Sequence, residues 1–247
     1  MTAISGADEH MYGGGGYKGS RSPVAEAYRV LRTNLQFAAV DRELKVVLVT
    51  SPSPDEGKST VAQFLAQTIS QTGKRVMILD TDLISPTLHK RFGLPNQKGL
   101  SSLIMGETDL ATAAHPKAYP NLSVITSGPI PPNSSELLGS ARMKHLMDRM
   151  REEYDMIIVD SPPVLVVTDA VVTSSLADGV ILVIHAGRTH GGDVRRAQEA
   201  LEGARANLLG AVLNRVHLRG SEYKYANSYT VSDVDSARAV ETPKTDS

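Results

Sequence analysis

Gly57-Lys58-Ser59-Thr60 closes the stretch SPSPDEGKST (51–60), directly after the apolar run KVVLVT (45–50). A lysine and two hydroxyls behind a glycine, where a strand gives way to a helix, can hold a phosphate chain. Backbone N–H groups of the turn, from Asp55 and Glu56 onward, and of the helix N-terminus would point at anionic oxygens. Lys58 would add a charge near the β and γ phosphates, Ser59 a hydroxyl for Mg²⁺, and Thr60 a bond to the α phosphate. The strict pattern has glycine five positions before Gly57, where this chain has Pro52. A chance GKST at an ordinary strand-turn-helix junction is the competing reading. It loses weight because two further strand ends carry chemistry.

Those ends are VMILDTD, which places Asp80 and Asp82, and DMIIVD, which places Asp160. Mg²⁺ in nucleotide sites takes one or two carboxylates plus phosphates and waters. Three carboxylates around one phosphate loop exceed what charge balance allows without a metal or a catalytic role. The bland reading of Asp80 is a helix cap. For Asp160, after four apolar residues, that reading is weaker, because burying a carboxylate is costly without a partner.

The elements that must position these groups are legible as an alternation. Apolar runs at 45–50, 75–80, 122–126, 155–160, 179–184 and 209–214 read as strands buried on both faces. Helical patterns at 58–72, 134–152, 168–177 and 192–207 lie between them. The expected fold is α/β, a mostly parallel central sheet with helices on both faces. Right-handed crossovers then bring the strand C-termini to one edge, where ligands bind in open α/β sheets.

The bulk numbers set limits. The chain has 247 residues, 41% hydrophobic, with formal charge −1, so nothing points overall to nucleic acid. It has no cysteine, which removes disulfides and thiolate metal sites. No apolar run approaches the ~20 residues of a membrane span, and the N-terminus has no apolar signal core. The expectation is a soluble cytoplasmic protein that reaches a membrane only through a partner. Three segments are expected: a disordered 1–21 around GGGG, a folded 22–218, and a flexible tail 219–247.

With these residues in view, the chain resembles the bacterial tyrosine kinases of capsule and exopolysaccharide synthesis, a branch of the P-loop group that includes the Min and Par ATPases. The resemblance rests on VAEAYRVLRTNLQFA, VLVTSPSPDEGKST, VMILDTDLISPTLHKRFG, KGLSSLIMGE, SGPIPPNSSELLGS, YDMIIVDSPPVLVVTDA, VILVIHAGRT and GAVLNRV. Each is modest alone; together they are specific. The resemblance implies a P-loop NTPase fold and Mg²⁺-dependent transfer from ATP to protein tyrosine. It implies that Ser59, Asp82 and Asp160 hold Mg²⁺, that Asp80 takes the tyrosine proton, and that Asn214 contacts adenine. Asp169 falls near the site in the family pattern, or caps the next helix. One departure stands out: the family's arginine two residues after the second Asp is here Ile84, followed by Ser85. The missing cation bears on kinase efficiency more than on nucleotide binding.

Two outlying segments complete the reading. SPVAEAYRVLRTNLQF starts with Ser22 as N-cap and Pro23 at the first helical position, and Ala27, Leu31 and Leu35 form its apolar stripe. Glu26, Arg29 and Arg32 are either a solvated face with weak pairs or, by resemblance, contacts to the neighbouring subunit of a ring. Tyr223, Tyr225 and Tyr229 crowd a polar tail in a chain with only 8 tyrosines, and are candidate phosphoacceptors or an edge strand. The leading expectation is an autokinase that phosphorylates this tail in trans and acts with a separate membrane-embedded polysaccharide co-polymerase. The alternatives are an ATP-switched positioning ATPase of the Min or Par type, and a nucleotide-binding scaffold without turnover.

Overall fold

The computed structural model describes residues 2–5, 22–38, 43–116 and 119–216. The strands are β1 (Thr2–Ser5), β2 (Val46–Thr50), β3 (Val76–Asp80), β4 (His115–Pro116), β5 (Leu122–Ile125), β6 (Met156–Asp160), β7 (Gly179–His185) and β8 (Leu208–Val216). They form one sheet in the order β1-β8-β7-β2-β6-β3-β5-β4, parallel throughout except for β4 against β5. The helices are α1 (Pro23–Ala38), α2 (Lys58–Ser70), α3 (Leu88–Phe92), α4 (Leu100–Met105), α5 (Leu110–Ala113), α6 (Ser134–Leu138), α7 (Ala141–Glu153), α8 (Asp169–Ser174) and α9 (Gly191–Gly203).

The apolar runs are continuous because both faces of the sheet are covered. Along β2, Val47 and Val49 pack under α1 and α2, while Val46 and Leu48 pack on the opposite side with Met143, Met147 and Leu201. Successive side chains of a strand point to opposite faces, so each strand feeds both cores. At the lower edge, the Asp178 carboxylate accepts from the Lys45 and Val46 amides and from both Arg151 Nη atoms, at 2.7–2.9 Å. That clamp sets where β2 begins, and β2 in turn carries the phosphate loop.

The expected sheet and helix layers are present. Helix α1 forms as read: the Ser22 hydroxyl accepts from the Ala25 amide at 3.1 Å, and Leu31 and Leu35 are buried. Its Tyr28 ring lies 5.4 Å from Phe64 of α2. The pattern read as one helix over 134–152 is two, because Gly139 and Ser140 interrupt it and Ser140 caps α7 through its hydroxyl, 3.2 Å from the Met143 amide.

One boundary needs correction. Residues 1–21 were expected to be disordered, yet Thr2–Ser5 pair in parallel with β8, Thr2 opposite Val212 and Ala3 opposite Leu213. Ile4 is buried beside α1, and Thr2 accepts from Asn34 at 3.1 Å. The Gly-rich average of the segment hides a short strand whose hydrogen-bond partners come from the open edge of β8. Tyr223, Tyr225 and Tyr229 lie outside the described residues.

Candidate active site

Strand register makes the site. Asp160 stands opposite Asp80 on one side and opposite Val49 on the other. The ends of β2, β3 and β6 therefore meet at one point, and each hands over to a loop bearing polar groups. The sequence separations between the three are long; the parallel pairing removes them.

The loop after β2 is shaped by two residues in the left-handed region, Asp55 at φ 63° and Gly57 at φ 93°. Pro52 is not among the positive-φ positions, which explains why proline is tolerated where the strict pattern has glycine. Gly57 is needed twice over. Beyond its φ, a Cβ there would sit 2.1 Å from Asn214 Nδ2. Asn214, at the end of β8, donates from that nitrogen to the Glu56 carbonyl at 2.9 Å, so it buttresses the phosphate loop. Asp55 is exposed and carries left-handed strain that glycine would not. Asp55→Gly should stabilise the protein by roughly 0.5–1 kcal/mol, a rise of about 1–4 °C in melting temperature, checked by calorimetry.

Glu56 is nearly buried, and its Oε1 accepts from the Thr189 hydroxyl at 2.7 Å. The same hydroxyl accepts from the His185 amide at 2.9 Å. Burial raises the Glu56 pKa, opposed first by the Thr189 bond. Thr189 thus ties the loop after β7 to the phosphate loop. Sequence reasoning missed it; its signal was a lone hydroxyl after the apolar run GVILVI.

Lys58 opens α2 and reaches back to the acids, its Nζ 3.1 Å from Asp82 Oδ2. Burial would lower its pKa, but the charges of Asp160, Asp82 and Asp80 outweigh that and raise it. Asp82 also accepts from the Ser85 amide at 2.9 Å. Asp80 is fully buried and uses both oxygens, accepting from the Asp82 and Leu88 amides at 3.1 Å each. Burial first, then the Asp160 charge, lifts its pKa well above the ordinary carboxylate range. Asp160 is fully buried and neither of its oxygens has a hydrogen-bond partner. Burial pushes it up to about 6, against the pull of Lys58 and the nearby Ser59 hydroxyl.

Ser59 and Thr60 lie in the first turn of α2, where helix geometry leaves N–H groups free for an anion. Asp169 begins α8, is buried, and accepts from the Ser135 hydroxyl, which ties α8 to α6. Arg91 is exposed and donates to Gln63 at 2.7 Å, and its charge helps lower Asp160. On α1, Glu26 pairs with Arg29, and Arg32 leans on α2, 3.4 Å from the Thr68 carbonyl.

A parallel sheet with a lysine-bearing phosphate loop after one strand and acids ending the next two defines a P-loop NTPase. The profile of the ParA family, described as NUBPL iron-transfer P-loop NTPase, matches residues 43–238. Tyrosine-protein kinase YwqD of Bacillus subtilis (strain 168) is 45% identical over 202 residues, covering 81% of this chain and 85% of that protein. Tyrosine-protein kinase etk of Escherichia coli (strain K12) is 37% identical over 201 residues, 81% of this chain but only 28% of that longer protein. The solved kinase domain of Escherichia coli ETK superposes with a TM-score of 0.81 at 32% identity, covering 89% of this chain and 91% of that one. The chain belongs to the bacterial tyrosine kinase family, within the ParA-type P-loop NTPases.

Proposed function

We propose that this chain is a Mg²⁺- and ATP-dependent protein-tyrosine kinase that phosphorylates Tyr223, Tyr225 and Tyr229 of its own tail. The observation that carries the reading is the meeting of Lys58, Asp82, Asp80 and Asp160 at one edge of the sheet. Similarity to proteins named tyrosine-protein kinases supports the choice of tyrosine as acceptor.

The residues fit Mg²⁺. The Asp160 carboxylate is buried with both oxygens unpartnered, a costly arrangement that a hard cation would relieve. Mg²⁺ shares its shell with phosphates and waters and so needs only one or two protein carboxylates. Asp160, Asp82 and the Ser59 hydroxyl would hold it, and when bound it neutralises charge developing on the phosphoryl oxygens. Lys58 exchanges Asp82 for the β and γ phosphates. The amides of 55–60 hold the phosphate chain, and Asn214 and the Thr189–Glu56 bond keep their loop in shape. The β8 end that carries Asn214 is also the proposed neighbour of adenine.

In the transfer, the tyrosine oxygen bonds to the γ phosphorus as the bond to the β,γ-bridging oxygen breaks, and ADP leaves with that electron pair. The phenolic proton passes to Asp80. Proton transfer late in a loose transition state makes the position of Asp80 matter more than its basicity. Asp80 is fully buried, with its oxygens accepting from the Asp82 and Leu88 amides, so loop 81–87 would have to give way for the hydroxyl to reach it.

The wider setting belongs to the same proposal. Transfer occurs in trans within a ring whose contacts include Glu26, Arg29 and Arg32. The ring works at the inner face of the cell membrane with a separate membrane-embedded co-polymerase, in capsule or exopolysaccharide production. No helix among the described residues is long and apolar enough to cross a membrane.

Incubation with Mg·ATP, followed by phosphotyrosine detection, tests the reading. The expected result is strong labelling, raised by a partner's cytoplasmic segment, and loss of most of it in the Tyr223→Phe, Tyr225→Phe, Tyr229→Phe variant. ATP hydrolysis without phosphotyrosine would favour a positioning ATPase. Nucleotide binding without turnover would leave a scaffold.

A further inference from the structure

The segment after β3 has two sides. Its backbone fastens the acids, Ser85 to Asp82 and Leu88 to Asp80. It also forms one wall of a cleft of about 610 Å³, with Ile84, Pro86, Thr87 and Lys90 on that wall and Pro129 and Ile130 on the other. Ile84 is 45% exposed and Ile130 64%. Single exposed aliphatics are ordinary. Two on the lips of one cleft, beside a cluster of buried carboxylates, form a local apolar grip in polar surroundings.

We propose that this cleft is the acceptor site, and that Ile84 and Ile130 clasp the ring of a tail tyrosine from the segment Tyr223–Tyr229. The proposal rests on the kinase reading given above. The volume lies within the range of small-ligand sites, and an aromatic side chain combines an apolar body for such lips with a polar tip that must go further in. The polar tip would meet the loop that covers Asp80. Reach permits it. From β8 to β3 is four strand spacings, about 19 Å. An extended chain from Val216 to Tyr223 or Tyr229 covers roughly 23–45 Å. The tail is therefore long enough to span the distance from β8 to the cleft. The segment EYKYANSYT separates its rings with small or polar residues, so one ring can enter without a bulky neighbour beside it.

The test uses the full chain with Tyr223→Ser, Tyr225→Ser and Tyr229→Ser, so that its own tail does not compete. A fluorescein-labelled peptide of residues 219–233 is titrated by anisotropy in the presence of a non-hydrolysable Mg·ATP analogue. Adding Ile84→Ser and Ile130→Ser should weaken the peptide about tenfold, while Ile84→Leu and Ile130→Leu retain it. Both positions are partly exposed, so the melting temperature should change little. Equal peptide affinity with and without the serines would overturn the cleft assignment, as would an absence of peptide binding. In the transfer assay, the acceptor KM should rise about tenfold relative to the KM for ATP. Phosphotyrosine formation with an acceptor KM blind to both serines leaves the kinase and removes the cleft. Peptide binding through the two isoleucines, with no phosphotyrosine ever formed, leaves the cleft and removes the kinase.

Discussion

Asp160→Asn should make the nucleotide-free protein more stable and catalytically dead. Asp160 is fully buried, lacks hydrogen-bond partners, and has its pKa raised to about 6. An unfolded chain would titrate it near ~3.9. A carboxyl with a raised folded pKa binds its proton more tightly when folded. Its protonated form is therefore easily accommodated below about pH 4, and stability is lost as pH climbs through the interval up to about 6. The difference of roughly two pKa units corresponds to about 2–3 kcal/mol. Asparagine keeps the shape without the charge. Wild type and variant should melt within about a degree or two near pH 4, and at pH 7.5 the variant should melt roughly 5–10 °C higher. Its phosphotyrosine formation should fall at least ~100-fold, as expected when a charge-stabilising group is lost. If the two proteins melt alike at pH 7.5, Asp160 is not the uncompensated charge described here.

Lys58→Met should also be inactive, but it should move stability the other way. Its Nζ is the close partner of Asp82, and both side chains are largely buried, 13% and 4% exposed. Removing the cation leaves Asp82 with one amide, from Ser85, and removes the charge that holds Asp160 down. Breaking a buried pair from one side costs about 3–5 kcal/mol, so the variant should melt roughly 6–15 °C lower near pH 7.5. Adding Asp82→Asn to Lys58→Met should return a large part of that loss, a coupling that a double-mutant cycle reads directly. Phosphoryl transfer should fall by at least ~100-fold. Two dead variants shifting stability in opposite directions would separate the charge that the nucleotide-free site lacks from the charge it contains.

Much of this site is visible in one dimension. A loop lysine and carboxylates at strand ends are local in sequence, and burial on both faces makes the strands continuous apolar runs. The short elements were not visible. β1 depends on partners 210 residues or more away in the chain, β4 has two residues, and α3 to α5 are one to two turns each, set by their surroundings. The break at Gly139–Ser140 was written in the sequence as a cap, and a helix-long apolar pattern concealed it.

Sequence alone determined which groups are present: the phosphate loop with its lysine, three acids at strand ends, and the family to which they belong. Only the tertiary structure decided how they are used. Register set Asp80 against Asp160, Asn214 was drawn under Gly57, Thr189 was bound to Glu56, and Asp80 was committed to the loop that covers it. It also set Ile84 and Ile130 on one cleft, although they are 46 positions apart. The reason is that residue type and local period follow from neighbours along the chain. Desolvation and partnership follow from strands that pair across it, and those two decide what a carboxylate can do.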